Sequence, residues 1–329
     1  MPLGCLPYML VVALIIINVR GYRSSIGPGR NVEGNYSGNA GSYNNYGDGN
    51  ITHNHHYGAP DPSQNQADIL RCLYTSKYEE HRDRVRKHVE GTCTWVTRHP
   101  KYMDWLGNKT SGLLWLSADP GCGKSVIASF LVDHLRAHTD ATVCYFFFKD
   151  DNDEQKRATF AVCALLHQIF KARTHLTKFA EGQFKAKGKG FTEEVNALWD
   201  ILVKSVAEGG CGSVICVMDA LDECEERTLY QFIRHVTSLP GSHTPDIPLK
   251  FLFTSRPYLR IVRELSSPAT TTIRLKGEEE IKSIATDVTR VINEGIESLE
   301  ENVNLYGREK REASFIVFCR VPVRVDIIN

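Results

Sequence analysis

No sign of charge prevails in this sequence. Lysine plus arginine and aspartate plus glutamate each number 39, so no net field draws the chain toward nucleic acid or an anionic surface, and no nucleic-acid partner is expected. The local basic clusters, Arg82, Arg84, Arg86 and Lys87 and then Lys185, Lys187 and Lys189, read as solvated faces. The cysteines form no Cys-x-x-Cys pair and no zinc spacing, which excludes a zinc module. Cys144 and Cys216 lie inside apolar runs, where cysteine packs as a small hydrophobe, and the set reads as reduced thiols of a cytoplasmic protein. There is no internal repeat with a period of about 20–50 residues, which excludes a solenoid. No apolar run reaches the roughly 20 residues of a membrane helix; the longest fills residues 6–17.

That run belongs to a leader, residues 1–23, for which three readings stay open. A membrane anchor fits the apolarity. A signal peptide fits the length, although no Lys or Arg precedes the run and no small-x-small site follows it. A mis-predicted first exon is the third. Residues 24–66 are rich in Gly, Asn, Ser and Tyr and almost free of aliphatics. Such a stretch buries too little surface to offset its ordering entropy and is expected to be disordered in the monomer. Asn and Tyr set among glycines also suit stacked cross-β ladders, so the stretch reads either as a linker or as a cross-β segment. His53, His55 and His56 are not read as a metal site.

From Asp68 the texture changes. Hydrophobic residues make up 42% of the chain, enough for a sizeable core. Residues 67–111 read as a small helical region carrying Ile69, Leu70, Leu73, Trp95, Val96 and Trp105. Buried strands then alternate with helices. Strands are expected at 113–117, 143–148, 214–218, 250–254 and 271–275, and helices at 125–138, 158–171, 193–207, 229–238 and 278–297. Strands separated by helices imply a parallel sheet covered on both faces. The expected fold class is α/β: a three-layer, RecA-like P-loop NTPase with a parallel five-stranded core, of the additional-strand kind. The core domain spans 112–276, with a helical segment at 277–312 and an unassigned tail at 313–329.

Three strand ends carry chemistry. The first is Ala118-Asp119-Pro120-Gly121-Cys122-Gly123-Lys124-Ser125, a Walker A loop with Ala118 where the first glycine usually stands. Gly121 and Gly123 let backbone N–H groups close around phosphate oxygens with no Cβ in the way. The following helix points its positive end at the same anion. Lys124 supplies an ammonium to the β- and γ-phosphates, and the Ser125 hydroxyl joins the Mg²⁺ shell. Pro120, Gly121, Cys122, Gly123, Lys124, Ser125 and Val126 are therefore the expected nucleotide-binding residues.

The second strand end is Val-Ile-Cys-Val-Met-Asp219-Ala-Leu-Asp222-Glu223, a Walker B pattern. Asp219 reaches Mg²⁺ beside Ser125, while Asp222 and Glu223 stand where a carboxylate orients or deprotonates water. The third is Phe-Leu-Phe-Thr254-Ser255-Arg256-Pro257, where Arg256 can sense the γ-phosphate. Ligands of open α/β sheets bind at this carboxyl edge. Asn108-Lys109-Thr110 lacks the aspartate of a guanine-reading motif, so ATP with Mg²⁺ is favoured over GTP.

Order and spacing add a resemblance. Leu-Trp-Leu-Ser-Ala-Asp-Pro-Gly-Cys-Gly-Lys-Ser at 114–125, Tyr-Phe-Phe-Phe-Lys-Asp-Asp-Asn-Asp at 145–153, Ala-Leu-Leu-His-Gln-Ile-Phe at 164–170, Val-Met-Asp-Ala-Leu-Asp-Glu-Cys at 217–224 and Phe-Thr-Ser-Arg-Pro-Tyr at 253–258 resemble fungal NACHT-type domains. These are also described as nephrocystin-type N-terminal domains of NOD-like receptors. The resemblance implies a signalling ATPase that switches more than it turns over. It implies homo-oligomers when ATP is bound, and a role in fungal self/non-self recognition or programmed cell death. It also implies an amyloid-templated effector partner, since residues 30–58 have the composition of the family's N-terminal amyloid motifs. The winged-helix and repeat segments of full receptors have no counterpart here, so the chain reads as a truncated receptor. An alternative of a different class is a non-catalytic interaction protein that signals through its N-terminal segment.

Overall fold

The computed structural model describes residues 62–239, 247–266, 270–275 and 278–304. The leader, the Asn/Gly-rich segment up to residue 61 and the tail from residue 305 lie outside the described residues, and with them the readings of 6–17, 30–58 and 313–329.

Five strands form one parallel sheet: β1 (Gly112–Ser117), β2 (Thr142–Phe147), β3 (Val214–Asp219), β4 (Leu249–Ser255) and β5 (Thr270–Arg274). Their order is β2-β3-β4-β1-β5. β4 thus lies between the strand leading into the Gly-rich loop and the strand ending in Asp219, which is the additional strand expected. All six residues of β3 and all seven of β4 are buried. Successive side chains of a strand point to opposite faces, so this pattern requires cover on both. β5, at one edge, is built from β-branched threonines and is only half-buried.

Helices supply that cover. α5 (Lys124–His138) presents Ile127, Ala128, Leu131, Val132 and Leu135 on one face and lies along β2, β3 and β4. α6 (Ala158–Ala172), apolar nearly all round, is buried between β2 and α8 (Val195–Glu208). α9 (Glu226–Ser238) sets Phe232 against Trp199 of α8 and against Phe251 and Phe253 of β4, with ring centroids about 6 Å apart. Such edge-to-face and tilted pairs add specific attraction to the area they bury.

The region before the sheet comprises α1 (Pro62–Leu73), α2 (Tyr78–Asp83), α3 (Thr94–Arg98) and α4 (Pro100–Gly107). α1 opens at Pro62, so residues 62–66, read from composition as the end of the disordered stretch, are helical. Proline is tolerated in a first turn, the Asp68 carboxylate pairs with Gln64 and Arg71, and Ile69 and Leu73 are fully buried. α11 (Glu278–Asn304) is fastened to this region. Asp287 Oδ2 accepts the Cys93 N–H at 2.8 Å and the Trp95 Nε1–H at 3.2 Å, and Glu280 Oε1 lies 3.3 Å from His99 Nε2. Two helices were not foreseen: α7 (Lys178–Lys187), flanked by 3-10 turns, and α10 (Leu259–Leu265). Among the described residues no helix is long and apolar enough to cross a membrane.

Candidate nucleotide site

The carboxyl ends of β1, β4 and β3 are neighbours, and the sheet's own hydrogen bonds run into the loops that follow. Ala118 N–H donates to Ser255 O at 3.2 Å, and Phe148 N–H donates to Asp219 O at 3.0 Å. The first loop therefore leaves β1 in register with the end of β4. Gly121 and Gly123 have φ of 81° and 72°, a left-handed conformation that glycine adopts without penalty. Pro120, Gly121 and Gly123 are exposed, although the strand behind them is buried. A Cβ on Gly123 would meet nothing within 4 Å, so its requirement for glycine is conformational. Gly123 caps α5, and its carbonyl accepts the Ile127 N–H at 2.9 Å; Cys122 and Val126 are half-buried at the loop and in the first turn.

Lys124 folds over this loop. Its ammonium donates to Ala118 O and Asp119 O, each at 3.0 Å. Burial lowers its pKa, with Asp222 the strongest opposing charge and Asp219 a lesser one. Asp219, at the end of β3, is buried and has its carboxyl pKa raised by that burial; hydrogen bonds from Ser125 and Thr254 oppose the shift. The Asp219 carboxylate and the Ser125 hydroxyl, from the first turn of α5, are the hard-oxygen pair that suits Mg²⁺, with Thr254 bonded to the carboxylate from β4.

Past Asp219 the chain bends sharply. Ala220 has φ 58° and ψ 46°, which costs a residue with a Cβ about 1–2 kcal/mol. The bend turns Asp222 and Glu223, in a short 3-10 turn (Leu221–Glu223), back along the sheet edge. Ala220→Gly is expected to stabilise the fold, by less than about 1 kcal/mol after glycine's greater loss of chain entropy is subtracted. Urea unfolding measures this, and a clear destabilisation would mean that the Ala220 methyl contributes more by packing than the bend costs.

Asp222 and Glu223 have separate environments. Asp222 is buried, and its Oδ1 accepts the Arg256 backbone N–H at 3.0 Å while Oδ2 pairs with Arg256 Nε at 3.3 Å. The Asp222 backbone carbonyl accepts from Arg260 at 2.8 Å, and Arg256 also donates to Tyr258 Oη at 3.1 Å. Glu223 is half-buried. Burial pushes its carboxyl pKa up, opposed by a hydrogen bond from the Asp150 backbone N–H. Asp150 lies in a loop shaped by buried Gln155, whose side chain donates to Phe147 O at 2.7 Å. A cavity of about 600 Å³ opens here, lined by Asp150, Asp222, Glu223, Arg256, Tyr258, Leu259 and Arg260.

Lys124, Ser125, Asp219, Asp222, Glu223 and Arg256 are thus gathered at one edge. Reading the sequence missed Asp150, Arg260 and the hydroxyl of Thr254. Thr254 lay inside a motif already singled out; Asp150 lay in a run of acids with nothing to single it out.

Residues 91–256 match the family model described as Nephrocystin 3, N-terminal, over half of the chain. The chain belongs to this NACHT-associated family. The match begins in the helical region and ends at Arg256, so it contains all three strand ends. The vegetative incompatibility protein HET-E-1 of Podospora anserina is 26% identical over 228 residues, which cover 67% of this chain and 16% of the relative. This member of the Nephrocystin 3, N-terminal family therefore matches only a small part of that relative's length. Among solved structures, Cdc6p from Pyrobaculum aerophilum is 14% identical over 63% of this chain and 51% of its own, with a TM-score of 0.36. The Drosophila ORC structure bound to AT-rich DNA and Cdc6 is 11% identical over 80% of this chain and 39% of its own, with a TM-score of 0.38.

Proposed function

We propose that the protein is an ATP-binding signal-transduction switch that hydrolyses ATP slowly and self-associates when ATP is bound. The observation that carries this reading is the convergence of three adjacent parallel strands on one edge. The glycine loop and Lys124 stand there beside half-buried Ser125 and buried Asp219, with Glu223 and Arg256 at the adjoining cavity.

In this reading the backbone N–H groups from Gly121 to Ser125 and the positive end of α5 hold the phosphates. Lys124 leaves the carbonyls of Ala118 and Asp119 for the β- and γ-phosphate oxygens. Ser125 and Asp219 hold Mg²⁺, which when bound offsets phosphate charge. Glu223 takes the proton of the attacking water, and Arg256, oriented by Asp222, meets the γ-phosphate. Kinship with HET-E-1, named for vegetative incompatibility, supports a role in fungal self/non-self recognition and the cell death that accompanies it.

The test uses the full chain. A ligand that binds only the folded state raises the melting temperature with its concentration. ATP with Mg²⁺ is expected to raise it more than GTP with Mg²⁺, and a slowly hydrolysed ATP analogue to increase the particle size in light scattering. No melting shift with any nucleotide would overturn the reading; a shift without growth would leave nucleotide binding and remove the assembly step.

A further inference from the structure

One hydroxyl touches both sides of the acidic bend. Thr254 Oγ1 donates to Asp219 Oδ1 and accepts the backbone N–H of Ala220 at 3.0 Å. A hydroxyl has a single hydrogen and two lone pairs, so these contacts use the hydrogen and one of the pairs. Thr254 is fully buried, so water cannot replace either bond. Its β-branched side chain sits in a strand, where χ1 is restricted. Packing on β4 thus fixes the oxygen's position relative to β3.

Each partner depends on this contact differently. Without it, the Asp219 carboxylate keeps Ser125 as a hydrogen-bond donor, but Ser125 comes from α5 and is itself an expected metal ligand. The Ala220 N–H stands at the left-handed bend that sets the direction of Asp222 and Glu223. Displacing that N–H changes the exit angle of the turn.

We propose that Thr254 is a positioning residue that holds the Asp219 carboxylate and the Ala220 bend in one geometry, so that the metal–nucleotide complex meets a carboxylate already oriented. This rests on the reading of Asp219 as the Mg²⁺ acid. The hydroxyl touches neither nucleotide nor metal; it acts through Asp219. Its absence should therefore be felt as a loss of the Mg²⁺-dependent part of nucleotide affinity, with the metal-free part unchanged. A residue that merely stabilised the fold would lower both parts together.

The experiment compares the full-length protein with Thr254→Val, Thr254→Ser and Thr254→Cys. Each is titrated with a fluorescent ATP analogue in Mg²⁺ and in EDTA. Valine keeps the shape and removes both hydrogen bonds, so it should lose about tenfold of the affinity gained from Mg²⁺. Serine keeps the hydroxyl and should restore most of that gain. Where the valine variant does not fold, cysteine, similar in size to serine but a weak donor and acceptor, takes its place and should fall below serine. A full Mg²⁺ gain in Thr254→Val, or equal gains in the cysteine and serine variants, overturns the proposal. A wild-type protein that binds the analogue equally with and without Mg²⁺ overturns the reading of Asp219, and the role of Thr254 with it. That outcome is visible before any variant is compared.

Discussion

Glu223→Gln should bind ATP at close to wild-type affinity and hydrolyse it at least about a hundredfold more slowly, the usual contribution of a positioned general base. Asp222 and Glu223 are adjacent acids of one turn, and their surroundings separate them. Both Asp222 oxygens are engaged by Arg256, one by its backbone N–H and one by its guanidinium. Glu223 is half-buried at the cavity, where among the described residues the Asp150 backbone N–H is its hydrogen-bond donor, with its pKa raised by burial. A raised pKa makes a carboxylate a stronger base toward water, and one hydrogen bond leaves lone pairs for the proton. The glutamine variant keeps the shape and cannot take the proton. Bound ATP should therefore persist, and the ATP-dependent assembly should last longer. Single-turnover hydrolysis beside equilibrium binding measures both quantities. If Asp222→Asn abolished hydrolysis while Glu223→Gln left it intact, the base would be Asp222 and the Arg256 pair would have to break on ATP binding.

The contrast between these two acids shows where sequence legibility ends. The near-continuous apolar runs of β1, β3 and β4 mark strands buried on both faces, and the polar residues ending each run mark the edge where chemistry collects. Those signals are local, so the parallel α/β fold and the motif residues can be read from them. The partner of Asp222 is Arg256, 34 residues later, and that of Asp219 is Thr254, 35 residues later. Such pairings follow from β4 lying beside β3, and nothing in either segment's composition states which threonine or arginine completes which acid. α7 was hidden for a different reason. Its sequence carries lysines, and its anchors to the core are few: Ala180 is buried, with Phe179 and Phe184 partly so. Lys185 and Lys187, read as a solvated face, do face outward, paired with Glu181 and Glu194. The helix beneath them forms because a short apolar stripe packs on α8, and tertiary contact outweighs weak local signals.

Lys124→Ala should weaken ATP binding about ten- to a hundredfold whether or not Mg²⁺ is present, the equivalent of roughly 1.5–3 kcal/mol for a charge-assisted contact in a shielded site. The ammonium is half-buried and has two backbone carbonyls as partners. A triphosphate offers it opposite charge in place of neutral oxygens, so the exchange favours the bound state. Burial already lowers its pKa, and the bound anion should restore the charged form. Asp219→Ala ought to behave differently. Its carboxylate repels phosphate unless a metal cation stands between them. Removing it should cost affinity in Mg²⁺ by an amount similar to the lysine variant, and cost nothing or even gain affinity in EDTA. Titrating a fluorescent ATP analogue against both variants in the two buffers gives four values whose pattern separates charge neutralisation from metal holding. Equal losses for Asp219→Ala in Mg²⁺ and EDTA would mean that Asp219 supports the loop through Ser125 and Thr254 and holds no metal. A lysine variant that lost affinity only in Mg²⁺ would mean that Lys124 acts on the metal-bound geometry and leaves the phosphates to the backbone N–H groups of Gly121 to Ser125.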